Sequence, residues 1–394
     1  MSNRKITKPI ARQLKVELER LSLHFSVIVI TGPRQSGKTT LCKMQFPKFD
    51  YINLENISTR EQIMTAPKAF LELHAKGLII DEVQYLPDLF SYIQVIVDED
   101  NTAKFILTGS SNFSLMQGIT QSLAGRSAVL TLLPLSLKEL QTKTKLSTDT
   151  LMLNGGYLAV WAKNIPVQDV SRNYYSTYIE RDVRQLLNIK NINRFQTFIK
   201  LCAGRISTEF NASALPNEVG VSVPTIQEWL ITLEASYILF RLPPFFRNIG
   251  KRLVKSPKIY FCDTGLLCFI LGIENEKQLE THPLRGAIFE NMVVLEFFKT
   301  RYNNGLLPNL YFYRDKSQRE IDLIYEQGNS LYAYEIKSAK SFTKSFMSNL
   351  EFFRKTVGND VVSTQLIYDG ETDIPDSENG MLNFRNVKSY QHQS

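Results

Sequence analysis

Residues 25–40 read FSVIVITGPRQSGKTT. The run from Phe25 to Thr31 is short, apolar and rich in β-branched side chains, the pattern of a strand buried on both faces of a parallel sheet. It stops at Gly32, and residues 36–44 read as a helix with a glycine-rich entry. Between them, Gly32-Pro33-Arg34-Gln35-Ser36-Gly37-Lys38-Thr39 fits G-x-x-x-x-G-K-[ST] in the strand, turn and helix setting that gives the pattern its meaning. Glycines let successive main-chain N–H groups turn inward around a phosphate, and the helix start adds about half a positive charge there. In such a loop Lys38 reaches the outer phosphate oxygens, Thr39 offers a hydroxyl to Mg²⁺, and Thr40 ends the segment.

Upstream of the strand, residues 6–23 carry apolar side chains at helical spacing (Ile10, Leu14, Leu18, Leu21) and predict an amphipathic lead-in helix. Residues 51–54, 78–80 and 105–107 are further short apolar runs separated by helical stretches. The expectation is therefore an α/β fold over residues 1–140, a parallel sheet with helices on both faces. Asp81 and Glu82 leave the run 78–80 at the end where ligands bind in such sheets, so Asp81 is a candidate Mg²⁺ holder and Glu82 a candidate for polarising water. Ser110 and Ser111 leave the run 105–107 at the same edge, and Arg126 is a candidate transition-state cation, within the chain or toward a neighbouring subunit.

The chain has 394 residues, enough for two or three folded units at ~150 residues each. With 43% hydrophobic and 22% charged residues it is neither disordered nor fibrous. No stretch approaches the ~18 consecutive apolar residues of a membrane span, and residues 1–8 are too polar for a secretory signal, so the cytoplasm is expected and a membrane partner is not. Four cysteines (Cys42, Cys202, Cys262, Cys268) fit neither a disulfide framework nor a zinc pattern. The net charge of +7 permits an anionic partner, and the excess lies in the first two thirds.

Residues 141–190 read as a helical connector, and residues 191–262 outline a helix-turn-helix with Gly220 at the turn, Pro224 in a first helical turn and two short strands as a wing. Arg241, Arg247, Lys251, Arg252, Lys255 and Lys258 follow one another with no acidic residue among them, interleaved with Phe245 and Phe246. That is the pattern of a surface tracking DNA or RNA phosphates, and equally of a face for a protein partner or another domain. Residues 281–394 predict a helix, then three alternating strands, the last two joined at Gly328-Asn329. Period two places Glu335 and Lys337 on one strand face, Asp322 lies across the hairpin, and Glu290 projects from the helix. Three carboxylates so placed are a candidate Mg²⁺ set, with Lys337 as a candidate catalytic residue. The set is similar to the PD-(D/E)xK nuclease core, which implies a small α/β nuclease-like unit, active or decayed.

The segments GPRQSGKTT (32–40), LIIDEVQ (78–84) and LTGSS (107–111) resemble the Walker A, Walker B and sensor segments of an AAA+ ATPase family common in bacteria and archaea. That family carries a C-terminal region long catalogued as a domain of unknown function. YIERDV (178–183), KRLVKSPK (251–258) and YFCDTGLL (260–267) extend the resemblance over most of the chain, although no clear helical lid with a second sensor arginine is found. The resemblance implies a P-loop NTPase sheet and an ATP-binding, Mg²⁺-dependent ATPase. Two functions fit: an ATPase acting on nucleic acid, or an ATP-dependent switch for a protein partner, with a homo-oligomer compatible with either. DEVQ (81–84) also resembles a helicase motif, but the other helicase motifs are not visible.

Overall fold

A computed structural model describes residues 10–110, 119–140, 146–177, 179, 191–246, 256–374 and 379–387. In the first unit, β1 (Val27–Thr31), β2 (Asp50–Asn53), β3 (Leu78–Asp81), β4 (Phe105–Gly109) and β5 (Ser127–Thr131) form one sheet in the order β2-β3-β4-β1-β5. Every neighbouring pair is parallel. The lack of apolar alternation now has its reason. Val27, Val29, Leu78, Ile80, Phe105 and Leu107 pack on one face with the helix Leu89–Glu99, while Ile28, Ile30, Ile79 and Ile106 pack on the other with Leu14, Leu18, Leu41 and Cys42. Both faces are dry, so both phases of the period-two pattern are apolar.

β5 carries no such signal. It is an edge strand with Val129 38% exposed, and its half-polar sequence SAVLT reads as a connection. Because all five strands run the same way, the segments after β1, β3 and β4 emerge at one edge of the sheet.

The middle region is helical at Thr148–Asn154, Leu158–Lys163 and Val167–Tyr174, then at Ile192–Ala203, Pro216–Val219 and Val223–Ala235. Gly220 adopts φ +75° at the turn, the Ser222 hydroxyl caps Val223–Ala235 by accepting from Thr225 N–H, and Trp229 packs on Phe195 and Phe198. β6 (Leu239–Leu242) and β7 (Lys258–Phe261) follow as an antiparallel pair. Most of the segment 178–183, and Arg247, Lys251, Arg252 and Lys255, lie outside the described residues.

The C-terminal region opens with the 19-residue helix Arg285–Asn303. β8 (Leu310–Arg314), β9 (Glu320–Gln327) and β10 (Ser330–Lys337) form an antiparallel meander. The helix Ser348–Val357 then crosses to β11 (Val361–Tyr368), parallel to β10, and β12 (Asn379–Asn383) is parallel to β11. The mixed sheet has the order β12-β11-β10-β9-β8, two strands more than the sequence pattern shows. One hydrophobic core runs from Leu133 to Val387, through the middle helices, β6, β7, the helix Arg285–Asn303 and the inner face of this sheet. The four cysteines are free and buried. Among the described residues no helix is long and apolar enough to cross a membrane.

Candidate functional site: the nucleotide loop and the C-terminal carboxylates

At the carboxyl edge of the first sheet, Gly32 and Gly37 adopt φ +143° and +94°, conformations that disfavour a side chain. A Cβ at Gly32 would strike the Leu132 carbonyl oxygen, and one at Gly37 the Leu158 side chain. Gly37 leads directly into the helix Lys38–Gln45. Lys38 is 5% exposed, and its Nζ donates to the Gly32 and Pro33 carbonyl oxygens, both at 2.9 Å. Burial pushes its ammonium down to about 8. Ser36 is fully buried, and among the described residues its hydroxyl has no hydrogen-bond partner. Arg34 lies 4.0 Å from Glu55.

Asp81, at the end of β3, is 5% exposed and accepts from three hydroxyls. Thr39 Oγ1 and Tyr51 OH each stand 2.9 Å from Oδ2, and Thr108 Oγ1 donates to Oδ1. Glu82 follows in a left-handed conformation (φ +55°) that turns its carboxylate out of the strand line, where it accepts from Gln84 Nε2 and, at 3.2 Å, from Ser110 Oγ. Gly32 to Thr39, Asp81, Glu82 and Ser110 therefore belong to one edge of the sheet. Tyr51 and Thr108 join them by register, because β2 pairs with β3 from Asp50↔Leu78 to Asn53↔Asp81 and β3 pairs with β4 to Ile80↔Leu107. The donor set fits a magnesium-bound triphosphate: a buried ammonium held by two carbonyls, an orphaned hydroxyl among the described residues, and a threonine hydroxyl on a carboxylate, all hard oxygen and nitrogen groups. Ser111 lies outside the described residues.

Arg12 is a further participant. Its buried guanidinium donates to the Ser36 carbonyl in the loop, to the Leu133 carbonyl at 2.6 Å and to Glu139 Oε1 at 3.1 Å. Glu139 in turn accepts from Gln13 and Ser136 N–H. Tyr237, between Val223–Ala235 and β6, places its hydroxyl 3.1 Å from Thr31 Oγ1 at the end of β1.

Two expectations about cations are corrected. Arg126 precedes Ser127, which registers with Val27 at the start of β1, so it lies at the edge of the sheet opposite the loop after Thr31. Five strand residues span ~15 Å. Arg126 instead pairs with Asp98 at 2.5 and 2.8 Å, and a role at the nucleotide site of its own chain is excluded by this placement. Lys258 is fully buried and does not face any surface. Arg241, the other described cation of that run, is bound to Glu234 at 2.9 and 2.5 Å. Asp263 of YFCDTGLL is a structural cap, accepting from Leu266 N–H at 2.9 Å and Gly156 N–H at 2.7 Å.

Glu290, Asp322, Glu335 and Lys337 do meet in the C-terminal region. Lys337 Nζ stands 2.7 Å from Glu335 Oε1 and 3.6 Å from Asp322 Oδ2, which also accepts from Ile336 N–H at 2.8 Å. Glu290 Oε1 accepts from Tyr260 OH at 2.7 Å and from Lys258 Nζ at 3.2 Å. Burial raises both Glu290 and Glu335 above the usual carboxylate range. The expected Mg²⁺ set is not what these residues form. Among the described residues no group of three or more His, Cys, Asp or Glu side chains is arranged to hold a metal ion, and the Lys258 and Lys337 ammonium groups pair with these carboxylates. The present arrangement does not fit the metal.

Three family models match the chain: an AAA domain over residues 24–141, a domain of unknown function (DUF8612) over 145–277 and a second (DUF4143) over 285–387. Among solved structures, the Walker-type ATPase PABY2304 of Pyrococcus abyssi aligns with 68% of this chain and 99% of its own at 12% identity, with a TM-score of 0.46. The uncharacterized protein MJ1544 of Methanocaldococcus jannaschii is 25% identical over 83% of this chain and 77% of its own length. The uncharacterized protein Rv2008c of Mycobacterium tuberculosis is 31% identical over 96% of this chain and 86% of its own length. With its AAA domain and its DUF8612 and DUF4143 regions, the chain belongs to the same protein family as Rv2008c.

Proposed function

We propose that the chain binds ATP with Mg²⁺ and hydrolyses it, and that this cycle acts on nucleic acid through the middle and C-terminal regions. The carrying observation is the Thr39–Asp81 hydrogen bond of 2.9 Å beside the buried Lys38, which joins the two halves of a nucleotide site. Main-chain N–H groups of the loop and the Lys38 ammonium bind the phosphates, while Thr39 and Asp81 are the residues to hold Mg²⁺. The metal supplies charge neutralisation on the phosphate oxygens. Glu82, held by Gln84 and Ser110, accepts a proton from the attacking water. A transition-state role for Arg126 requires a second copy of the chain, which sizing chromatography with ATP tests.

The helices Ile192–Ala203, Pro216–Val219 and Val223–Ala235 followed by β6 and β7 support a winged-helix reading of the middle region. The helix, meander, crossover and parallel strand of the C-terminal region support a nuclease-like reading. A second reading, an ATP-dependent switch with a protein partner, is favoured by the burial of Lys258 and the pairing of Arg241, which remove two cations from any phosphate-facing surface. ATP turnover by wild type and Lys38→Ala, with and without DNA or RNA, separates the two. The first reading expects turnover that nucleic acid stimulates and Lys38→Ala abolishes. Turnover indifferent to nucleic acid favours the second, and no affinity for adenine nucleotide with Mg²⁺ present overturns both.

A further inference from the structure

Lys258 opens β7, yet its side chain is spent inside the C-terminal region. Its Nζ stands 2.5 Å from Glu320 Oε1, 3.2 Å from Glu290 Oε1 and 3.9 Å from Asp322 Oδ1, with no exposed surface. A charge removed from water in this way persists only when counter-charges surround it. β7 is fixed against the helix Arg285–Asn303, because the fully buried Asn291 accepts from Phe261 N–H at 2.7 Å and donates to Phe261 O at 2.9 Å. Tyr260 adds its bond to Glu290, and Pro244 bridges to Phe312 on β8. The ammonium is therefore delivered by a docked strand and does not reach its site by chance rotamer.

One acceptor in the cluster is left over. Glu335 is 4% exposed, and among the described residues its Oε2 has no hydrogen-bond partner, while Oε1 pairs with Lys337 at 2.7 Å. A divalent ion bridging Glu290 and Asp322 would need their oxygens at ~2.1–2.6 Å. The Lys258 ammonium already occupies the space between them, 3.2 Å from Glu290 Oε1 and 3.9 Å from Asp322 Oδ1, whereas Lys337 pairs with Glu335 Oε1 and the other Asp322 oxygen. We infer that Lys258 is an internal cation standing in the place of a divalent metal, so that the Glu290, Asp322 and Glu335 cluster takes no metal while β7 is docked. This inference rests on the nuclease-like reading of the C-terminal region and is independent of ATP hydrolysis.

The test is Mn²⁺ titration of the nucleotide-free full chain, followed by the electron paramagnetic resonance signal of free Mn²⁺. Wild type and Asp322→Asn should bind the same number of ions. Lys258→Met should gain one ion, and Lys258→Met with Asp322→Asn should lose it again. A Mn²⁺ site in the wild type that Asp322→Asn removes overturns the inference, as does a folded Lys258→Met with no gain. If Lys258→Met does not fold, the comparison of wild type with Asp322→Asn decides alone. A chain without ATPase activity would defeat the proposed function and leave these ion counts unchanged.

Discussion

Tyr237 and Thr31, 206 residues apart in the chain, meet through their hydroxyls at 3.1 Å. Thr31 is the last residue of the strand that leads into the nucleotide loop, and Tyr237 stands at the head of the β6 and β7 pair that delivers Lys258. One buried hydrogen bond thus ties the first sheet to the middle region. Tyr237→Phe removes the phenolic oxygen without changing ring volume. The expected loss is about 1 kcal/mol, read as a lower urea midpoint at unchanged slope. An unchanged midpoint would show that the contact contributes nothing.

Asp81→Asn keeps the size of the side chain but removes the charge on which Thr39, Tyr51 and Thr108 converge. Binding of ATP without Mg²⁺ draws on the loop and Lys38 and should stay within a few-fold of wild type. Mg²⁺-dependent turnover should fall by roughly 100-fold or more. Equal losses in both measurements would place Asp81 in the framework and not at the metal.

Lys38 gives the site a pH signature. Burial lowers its ammonium from 10.5 to about 8, so the cation that meets phosphate is lost from the free protein as pH rises past that value. ATP affinity should be level below about pH 8 and fall above it by up to roughly tenfold per pH unit, with a level profile in Lys38→Met. The stability sign is opposite. Between about 8 and 10.5 the unfolded chain binds the proton that the folded chain has released, so stability rises with pH across that window. Below it the buried ammonium opposes folding, and Lys38→Met should be the more stable protein at pH 7. Urea melts of both proteins across pH 7 to 10 check this, and parallel curves would refute it.

Most of the first sheet and the loop 32–39 were legible because local pattern and chemistry coincide there: a strand buried on both faces is uniformly apolar, and a phosphate loop needs glycines at fixed places. Elsewhere the information is relational. Tyr51 and Thr108 reach Asp81 only through strand register, which no single segment encodes. β5 hides behind the mixed polarity of an edge, and β11 becomes a strand by its parallel pairing with β10. Lys258 reads as one cation in a basic run, and its burial follows from where β7 docks. Arg126 reads as a free cation because its partner Asp98 lies on the helix Leu89–Glu99, 28 residues earlier in the chain.

Arg12 makes the same point and can be tested as a pair. Its guanidinium holds the Ser36 carbonyl of the loop, the Leu133 carbonyl beyond β5 and the Glu139 carboxylate, all away from water. Arg12→Met leaves Glu139 as a buried charge without its cation, a change worth about 3–5 kcal/mol. The accompanying loss of the hydrogen bond to Ser36 should also weaken ATP binding, since the loop carbonyl is then unrestrained. Glu139→Gln removes the stranded charge and keeps one carbonyl acceptor, for either the Gln13 N–H or the Ser136 N–H, which the carboxylate binds through different oxygens. The double variant Arg12→Met with Glu139→Gln should therefore recover part of the lost stability without recovering ATP affinity. Strictly additive stability losses would show that the two side chains do not act as a pair, and full recovery of affinity would show that Arg12 does not act on the loop through Ser36.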